Sequence, residues 1–448
     1  MISPELPPVT ASSGSPVTGA IGTEEELLAV ALPRDDADLP KVSSKYIWLM
    51  VLAQLGVFIA FITPIAISLA VKVSQITPGQ EQNLGYILGA GSLVVMLTGP
   101  MLGTLSDRTR TSLGRRRPFI IAGTGLGVIS LFVMATAESI PVLALGWVLA
   151  QLGWGQALAG LNSSQADRLP ESQRGKVSGL VGFANQIGPV VGVVSAGSLM
   201  GNSLLLFLVP GSVGVLFCLL FVLFAHEESS KALVFEDRLS MRLIASKYLY
   251  NPRKHKDFSW NWLARFLFYF GLTLNTTFTA FFMASRLGVP LQAIAGVIAT
   301  IGGIGILATT LGAIGGGFLS DKIRRRKPIV LAAAITFASG IVVMAFAHDM
   351  TTIIVGSVLT SIGIGGFSAV DQALLLDVLP EKKTNAGRFL GITGFATSIP
   401  QAAAPLIAPL FLTIGATATE KNYTLLYLLA AGITLLGGFT VLRIKSVR

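Results

Sequence analysis

The sequence predicts an all-α membrane protein with twelve transmembrane helices, arranged as two pseudo-symmetric six-helix halves. Three observations support this prediction. The 448 residues are 52% hydrophobic and 12% charged, and soluble domains carry about 25% charged residues, so much apolar surface must face lipid. Apolar runs long enough to cross a bilayer recur along the chain, and a short charged phrase occurs once in each half.

The apolar runs define the elements in order, since a spanning helix needs about 20 residues at about 1.5 Å each. The segments of the N-terminal half, 46–225, are 46–71, 83–105, 118–137, 140–166, 174–199 and 202–225. Those of the C-terminal half, 258–443, are 258–285, 290–319, 328–347, 351–376, 386–412 and 423–443. Outside them lie a tail at 1–45 that is typical of disorder, a charged central loop at 226–257 and a short C-terminus at 444–448.

A repeated set of polar residues relates the two halves. The phrase GTLSDRTRTSLGRRRP follows the second predicted helix, and GFLSDKIRRRKP follows the eighth. Each begins with a Gly, has an Asp four residues later, and ends with three arginines shortly before a Pro. At offsets of 214, 214, 210 and 214 residues, the repeated pairs are Gly103 and Gly317, Asp107 and Asp321, Asp167 and Asp377, and Arg174 and Arg388.

The distribution of Lys and Arg predicts the orientation, because cytoplasmic loops carry an excess of them. Loops on one side hold most of the basic residues, including the triplets 115–117 and 324–326. The loops on the other side hold only Lys72, Arg286 and Lys421. We therefore expect a plasma (inner) membrane protein with both termini and the central loop in the cytoplasm.

Several other classes of function lack the residues that they need. The basic residues lie in short clusters between apolar runs, which argues against nucleic acid as a partner. The one cysteine, Cys218, allows no intrachain disulfide and disfavours a Cys-based metal site. The Gly-rich runs have no Walker lysine, and there is no HExxH motif or nucleophile elbow. We therefore expect that the protein is not an enzyme and uses no cofactor or metal. We expect it to be a monomer that transports a small molecule, driven by a gradient.

Twelve helices with a Gly-x-Leu-Ser-Asp-Arg/Lys…Arg-Arg-Arg loop in each half resemble the major facilitator superfamily over about residues 45–445. Arg110 and Arg324 stand where the common form of the motif has a Gly. The longer first copy, from Asp107 to Ile120, is similar to the glycoside–pentoside–hexuronide and sucrose–proton symporter branch. The resemblance implies alternating access between the two halves.

The resemblance also implies that the charged loops form a gate. Asp107 is expected to dock on the start of the eleventh helix near Gly387, and Asp321 on the start of the fifth near Gly175, because free N–H groups there favour a carboxylate. These contacts would join the halves in the outward-facing state; alternatively, the arginines serve topology alone. The expected gating set is Gly103, Asp107, Arg108, Arg115, Arg116, Arg117, Asp167, Arg174, Gly317, Asp321, Lys322, Arg325, Asp377 and Arg388.

Two ionisable residues lie within apolar runs, where a charge costs several kcal/mol unless it is paired or hydrated. Arg265 lies about two turns into the seventh predicted helix, and Asp371 lies six residues before Asp377 in the tenth. By the family resemblance both helices line a central cavity. We expect Asp371 to carry a coupling proton and Arg265 to be its charge partner. The alternatives are a permanent ion pair, or an Asp371 that belongs to the cytoplasmic network.

Uncharged polar and aromatic residues are the candidates for binding substrate. Amides both donate and accept, and aromatic rings stack on sugar faces, although each amide could equally join helices, at about 1 kcal/mol per hydrogen bond. The candidates are Gln54, Gln151, Trp154, Gln156, Asn162, Asn185, Tyr269, Asn275 and Gln372. They favour proton-coupled uptake of a neutral sugar or glycoside. A proton-antiporting exporter of drug-like or hydrophobic compounds is the second hypothesis, and a non-transporting membrane sensor the third.

Overall fold

The computed structural model describes residues 40–225, 227, 229–231, 250–381, 386–416 and 421–447. This part of the chain is all α-helical and confirms the predicted fold class. Its helices are α1 (Ser44–Ile76), α2 (Gln82–Asp107), α3 (Arg117–Thr136), α4 (Ile140–Arg168), α5 (Glu171–Gly197), α6 (Ser203–Phe224), α7 (Lys256–Thr277 and Thr279–Leu287), α8 (Leu291–Ile323), α9 (Arg326–Ala345), α10 (Met350–Val378), α11 (Ala386–Thr413) and α12 (Tyr423–Thr440). Eleven are long and apolar enough to cross a membrane, and the bent pair in α7 makes a twelfth if it is one span.

The predicted segments and the observed helices differ at their ends by at most five residues. The largest difference is at the end of α1, so the prediction that Lys72 lies in a loop was wrong. The helix continues past Lys72 because its ammonium group is bonded to the backbone of α3 and to a side chain of α6. Arg286 was also predicted in a loop and instead lies in the last turn of α7.

Two helices contain irregular turns at equivalent positions. α1 forms a π-helical turn at Pro64–Ser68, where Pro64 has no backbone N–H to donate. α7 bends by 52° between Thr277 and Thr279. Pro64 and Phe278, the residue at the break, are 214 residues apart, so each half carries its irregular turn in its first helix.

The six helices of each half pack in the same way. α3 and α2 lie against α4, and α5 and α6 lie against α1; the corresponding pairs in the second half are α9 and α8 with α10, and α11 and α12 with α7. Glycines permit the closest crossings. A Cβ on Gly153 of α4 would lie 2.5 Å from the backbone nitrogen of Gly127 in α3. A Cβ on Gly340 of α9 would likewise lie 2.6 Å from the carbonyl oxygen of Gly356 in α10.

The two halves meet through α2 with α11 and through α5 with α8. We call the end of the bundle where α2 leads into α3 the basic end and the other the closed end. Near the closed end, a Cβ on Gly85 or Gly89 of α2 would collide with α11. On the same face of α2 nearer the basic end, a Cβ on Gly99 or Gly103 would meet no atom within 4 Å. The halves are therefore in contact at the closed end and apart along α2 toward the basic end.

Candidate functional site

The two ionisable residues predicted inside the membrane lie together between α7 and α10. Nε of Arg265 is 2.9 Å from Oδ2 of Asp371, an ion pair without the alignment of a hydrogen bond. Asp371 is 1% exposed, and Nδ2 of Asn261, one turn before Arg265, donates to its other oxygen at 3.4 Å. Nη2 of Arg265 also donates to Oε1 of the exposed Gln372 at 3.1 Å. Arg265 thus joins a buried carboxylate to an exposed amide.

The equivalent place in the first half holds an uncharged pair. Nε2 of Gln54 in α1 donates to Oδ1 of Asn162 at 3.0 Å and to Oε1 of Gln165 at 3.2 Å. Asn162 lies six residues before the end of α4, as Gln372 lies six residues before the end of α10. The sequence pairs Gln54 with Arg265 and Asn162 with Gln372 at offsets of 211 and 210 residues. Both halves therefore have a side-chain bridge between corresponding helices, and only the second is charged.

The sequence prediction missed two residues of these bridges, Gln165 and Asn261. Gln165 is three residues after Asn162, and Asn261 is four residues before Arg265. Each therefore lies on the same helix face as a predicted residue. That spacing was the signal that could have identified them.

The remaining substrate candidates of the second half lie along α7. The Tyr269 hydroxyl, one turn after Arg265, interacts with Arg265 and with Ser368 of α10. Asn275 is buried, and its Nδ2 has no hydrogen-bond partner among the described residues. Tyr269 therefore belongs to the charged bridge, whereas Asn275 lies between that bridge and the break in α7.

The remaining candidates of the first half are buried or half-buried side chains. Trp154 is fully buried, and its indole contacts Gly127 of α3 and Gly214 of α6. The ring packs inside its own half, because those glycines leave room for it. This placement does not match the prediction that Trp154 lines the cavity. Gln151, Gln156 and Asn185 are half-buried.

The charged loop of the first half forms a network within that half. Arg116 is buried, with Nη1 2.7 Å from Asp107 and Nε 2.9 Å from Asp167. Arg116 also donates to Oγ of Ser106 at 3.0 Å, and Arg115 pairs with Asp167 at 2.8 Å. Burial disfavours the charged guanidinium, but Asp167 and Asp107 outweigh it and raise the pKa of Arg116 above its usual value. The network ties together the ends of α2, α3 and α4.

Glu227, just after α6, caps the start of α3. Its two carboxylate oxygens accept from the backbone N–H groups of Arg116 at 3.0 Å and Arg117 at 3.1 Å. Gly114, with φ at +86°, leaves room for this carboxylate, since a Cβ there would lie 2.4 Å from it. Sequence reasoning missed Glu227, although an acid at a helix N-terminus follows from the dipole.

The charged loop of the second half is more open. Nε of Arg326 is 2.7 Å from Oδ2 of Asp377, whereas the expected gating set names its neighbour Arg325. The reason is that α9 begins at Arg326 and turns that side chain toward the end of α10. Asp321 and Arg324 line a cavity of about 220 Å³ beside this pair.

The other predicted gating residues have local contacts. Nε of Arg174 donates to the carbonyl oxygen of Leu169 at 3.1 Å. Lys322 and Arg388 lie over the rings of the neighbouring Phe318 and Phe389. Arg108 is the C-cap residue of α2, and its backbone N–H donates to carbonyl oxygens of the last turn.

The predicted docking contacts between the halves are absent among the described residues of this conformation. Asp107 bonds to Arg116 of its own half. A Cβ on Gly175 or Gly317 would meet no atom within 4 Å, and the residues just before Gly387, 382–385, lie outside the described part. The conformation is open at the basic end, where these contacts would have to form.

A hydrogen bond joins the halves at the closed end. The Tyr423 hydroxyl at the start of α12 donates to Oε2 of Glu81, which precedes α2. Burial raises the pKa of the Glu81 carboxyl above its usual value, and the charge of Lys421 opposes that shift. Behind this bond, a cavity of about 230 Å³ lies between α1, α2, α7 and α8. Its walls are mostly apolar and include Ile62 and Ile65.

Sequence comparisons identify related proteins over nearly the whole described chain. A family model described as Major Facilitator Superfamily matches residues 46–314 and 262–447. The uncharacterized MFS-type transporter YfiU of Bacillus subtilis is 24% identical over 82% of this chain and 80% of its own length. The general alpha-glucoside permease of Schizosaccharomyces pombe is 33% identical over 108 residues, which are 23% of this chain and 18% of the permease. The chain thus aligns with under a fifth of that permease.

Solved structures share the fold. A mutant of the nucleoside transporter NupG matches with a TM-score of 0.73 and 12% identity, covering 89% of this chain and 99% of that one. A bacterial homolog of the human lysosomal transporter Spinster, in an inward-facing and unoccupied conformation, matches with a TM-score of 0.66 and 16% identity, covering 90% and 99%. At these identities the likeness concerns the fold alone.

Proposed function

Because the chain belongs to the major facilitator superfamily, whose transporters work by alternating access, we propose that it takes up a neutral sugar or glycoside together with protons. The observation that supports proton coupling best is the buried Arg265–Asp371 pair. Asp371 is the charged side chain most deeply enclosed in the described part of the bundle. Its counter-ion also contacts Gln372, which is exposed.

The proposed coupling step follows from the balance of charge in this bridge. An ion pair taken out of water loses hydration that its mutual attraction only partly returns. Protonation of Asp371 removes the counter-ion of Arg265, whose guanidinium then interacts more strongly with Gln372 and with a substrate beside it. Release of the proton restores the pair. Substrate binding and proton binding are thereby linked through Arg265.

Unpaired amide atoms support a neutral, hydroxyl-rich substrate. Oε1 of Gln54, Oδ1 of Asn185 and Nδ2 of Asn275 are buried and have no partner among the described residues. Buried polar groups of this kind normally bind water or a ligand. Amides can serve a sugar hydroxyl as donor or as acceptor. The match to part of the alpha-glucoside permease agrees with this substrate class.

The orientation we propose rests on the basic loops. The arginines of both charged loops lie at the basic end, and cytoplasmic loops of membrane proteins are enriched in Lys and Arg. With the basic end in the cytoplasm, both termini face that side of the plasma (inner) membrane. The described conformation is then open to the cytoplasm, the state from which an importer releases its substrate.

One observation favours the second hypothesis, a proton-antiporting exporter of hydrophobic compounds. The cavity at the closed end is walled mostly by Ile, Leu and Ala side chains. Such a surface gains free energy by covering apolar parts of a ligand. Asp371 can exchange protons in either direction of transport, so the charged bridge is compatible with both hypotheses.

Uptake into proteoliposomes tests the proposal. Labelled neutral sugars and glycosides are supplied outside, with an inward proton gradient and then with a protonophore. Wild type is compared with Asp371→Asn, and with Asp349→Asn as a matched control, since Asp349 is an exposed acid that caps α10. We expect gradient-driven accumulation by wild type and control, and exchange without accumulation by Asp371→Asn.

Other outcomes of this experiment separate the hypotheses. If Asp371→Asn leaves accumulation unchanged, Asp371 does not carry the coupling proton, and the sugar remains the proposed substrate. Accumulation driven by a sodium gradient instead of a proton gradient would identify sodium as the coupling ion. Absence of sugar uptake, together with protonophore-sensitive extrusion of a hydrophobic dye, would favour the exporter.

A further inference from the structure

Two basic residues at the closed end occupy equivalent positions in the two halves. Lys72 and Arg286 are 214 residues apart, the offset that also relates the two charged loops. Each lies beyond the irregular turn of its helix, in what we call the α1 end segment (Leu69–Ile76) and the α7 end segment (Thr279–Leu287). Neither residue belongs to the bridges of the candidate site.

Lys72 binds the ends of two other helices of its own half. Its Nζ donates to the carbonyl oxygen of Ala135 at 2.9 Å and to Oγ of Ser203 at 3.3 Å. Ala135 lies in the last turn of α3, and Ser203 is the first residue of α6. The last carbonyl groups of a helix lack N–H partners, and the helix dipole favours a cation there. The carboxylate of Glu138 adds a further attraction.

Arg286 makes the same arrangement in the second half. Its Nη2 donates to the carbonyl oxygen of Ala345 at 3.0 Å and to Oγ1 of Thr424. Ala345 is the last residue of α9, and Thr424 is the second residue of α12. The guanidinium also lies 5.8 Å from the centre of the Phe282 ring. In both halves, a cation thus fastens the end of the first helix to the end of the third and the start of the sixth.

The end segments would be able to tilt without these bonds. The π-helical turn Pro64–Ser68 precedes one segment, and the 52° bend at Phe278 precedes the other. Helices change direction most readily at such irregular turns. A bond at the far side of the turn makes each segment move with the helices to which it is fastened.

We propose that Lys72 and Arg286 are positioning residues that hold the end segments in place as walls of the closed end. Ala70 of the α1 end segment and Ala280 of the α7 end segment line the cavity there. When either cation is removed, its segment tilts and the cavity opens toward the side of the membrane that the closed end faces. This inference depends on neither the substrate nor the coupling ion.

Side-specific thiol labelling tests the proposal, because the one cysteine of the chain, Cys218, is buried. Cys218→Ser gives a cysteine-free parent, and Ala70→Cys or Ala280→Cys places a reporter in one wall or the other. Vesicles of both orientations are treated with a membrane-impermeant maleimide, and the labelling rate from each side is measured.

We expect Lys72 and Arg286, which we call the two anchors, each to protect the wall formed by its own end segment. Lys72→Met should raise the labelling rate of the Ala70→Cys reporter from the closed-end side about tenfold, since a charge-assisted hydrogen bond is lost. Lys72→Arg keeps the cation and should stay near the parent rate. Arg286→Met and Arg286→Lys should behave in the same way toward the Ala280→Cys reporter.

Two results of the Met variants would overturn the proposal. One is an unchanged rate in both Met variants; the other is an equal increase from both sides of the membrane, which indicates general loosening. Should the Met variants fail to accumulate, Ser203→Ala and Thr424→Val remove one bond of each anchor and keep the charge. A rise of about threefold is expected for these weaker changes, and unchanged rates in both would also overturn the proposal. The same substitutions made in the chain that keeps Cys218 and carries no reporter should leave this buried thiol unlabelled, which reports that the fold is intact.

Discussion

Glu81 and Tyr423 join the two halves of the bundle through a hydrogen bond at the closed end. Glu81 stands before α2, and Tyr423 begins α12, so the bond breaks when these helices separate. Tyr423 is buried and packs edge-on against Phe282 of the α7 end segment. The closed end therefore contains a titratable group at the contact between the halves.

Closure of this end should depend on pH through Glu81. Burial raises the pKa of the carboxyl above its usual value near 4.5, and the group meets water when the end opens. The closed form then binds the proton more tightly than the open form does. The free energy by which this proton favours the closed form is therefore full below the usual pKa and is lost as pH rises through the raised value. The labelling rate of the Ala280→Cys reporter, normalised to that of free cysteine at the same pH because the thiolate is the reacting species, should rise over this range in the cysteine-free parent. In Glu81→Gln the normalised rate should no longer depend on pH. Unchanged dependence in Glu81→Gln would contradict the prediction, and Asp349→Asn is the control.

Arg116 should contribute more to stability than its neighbour Arg115. Arg116→Met leaves Asp107 and Asp167 without their shared cation, a loss we place at about 2 kcal/mol, because the arginine is buried while the side chains of the two acids are 59% and 26% exposed. The side chain of Arg115 is 35% exposed, against 6% for Arg116, so Arg115→Met should cost less than about 1 kcal/mol. Thermal unfolding of the purified variants measures the difference. Equal midpoints would show that the network is not held by the buried arginine.

The charged bridge can be tested for a purely structural role by neutralising both partners. A permanent ion pair that only fixes α7 to α10 should tolerate Asp371→Asn combined with Arg265→Gln, because no unpaired charge remains. Under the coupling proposal, this double variant folds as wild type but cannot accumulate substrate against a gradient. Recovery of accumulation in the double variant would favour the structural role. Protonophore-sensitive uptake is the readout.

Asn162 should contact the substrate, since it is exposed and is held in place by Gln54. Asn162→Ala should raise the KM for the transported sugar about tenfold, the effect of one lost hydrogen bond, with kcat nearly unchanged. Asn83→Ala is the matched control, because Asn83 bonds to Thr77 at the closed end. A loss of kcat without a change of KM would assign Asn162 to helix packing instead.

The helices were predictable because lipid requires long apolar segments, and this requirement is visible in the sequence without knowledge of packing. The bridge between Arg265 and Asp371 was predictable for a related reason, since two isolated charges within apolar runs need a partner. The internal repeat added the correspondence of Gln54 with Arg265 before any contact was known.

The features that were not predicted depend on neighbours that are distant in sequence. Lys72 looks like a loop residue until the end of α3 is known to lie beside it. Trp154 looks like a cavity residue until Gly127 and Gly214 are seen to form its pocket. The pairing of Asp377 with Arg326 depends on the residue at which α9 begins, and a run of three arginines does not define that boundary.

The cap that Glu227 places on α3 has a practical consequence for dividing the chain. A fragment that stops at the last residue of α6 would lose the carboxylate that satisfies the first backbone amides of α3, and with it Ser230, whose hydroxyl bonds to the backbone of Thr109 and Thr111. Co-expressed fragments should therefore be cut after Lys231, so that the N-terminal piece retains the short peptide that completes its own surface.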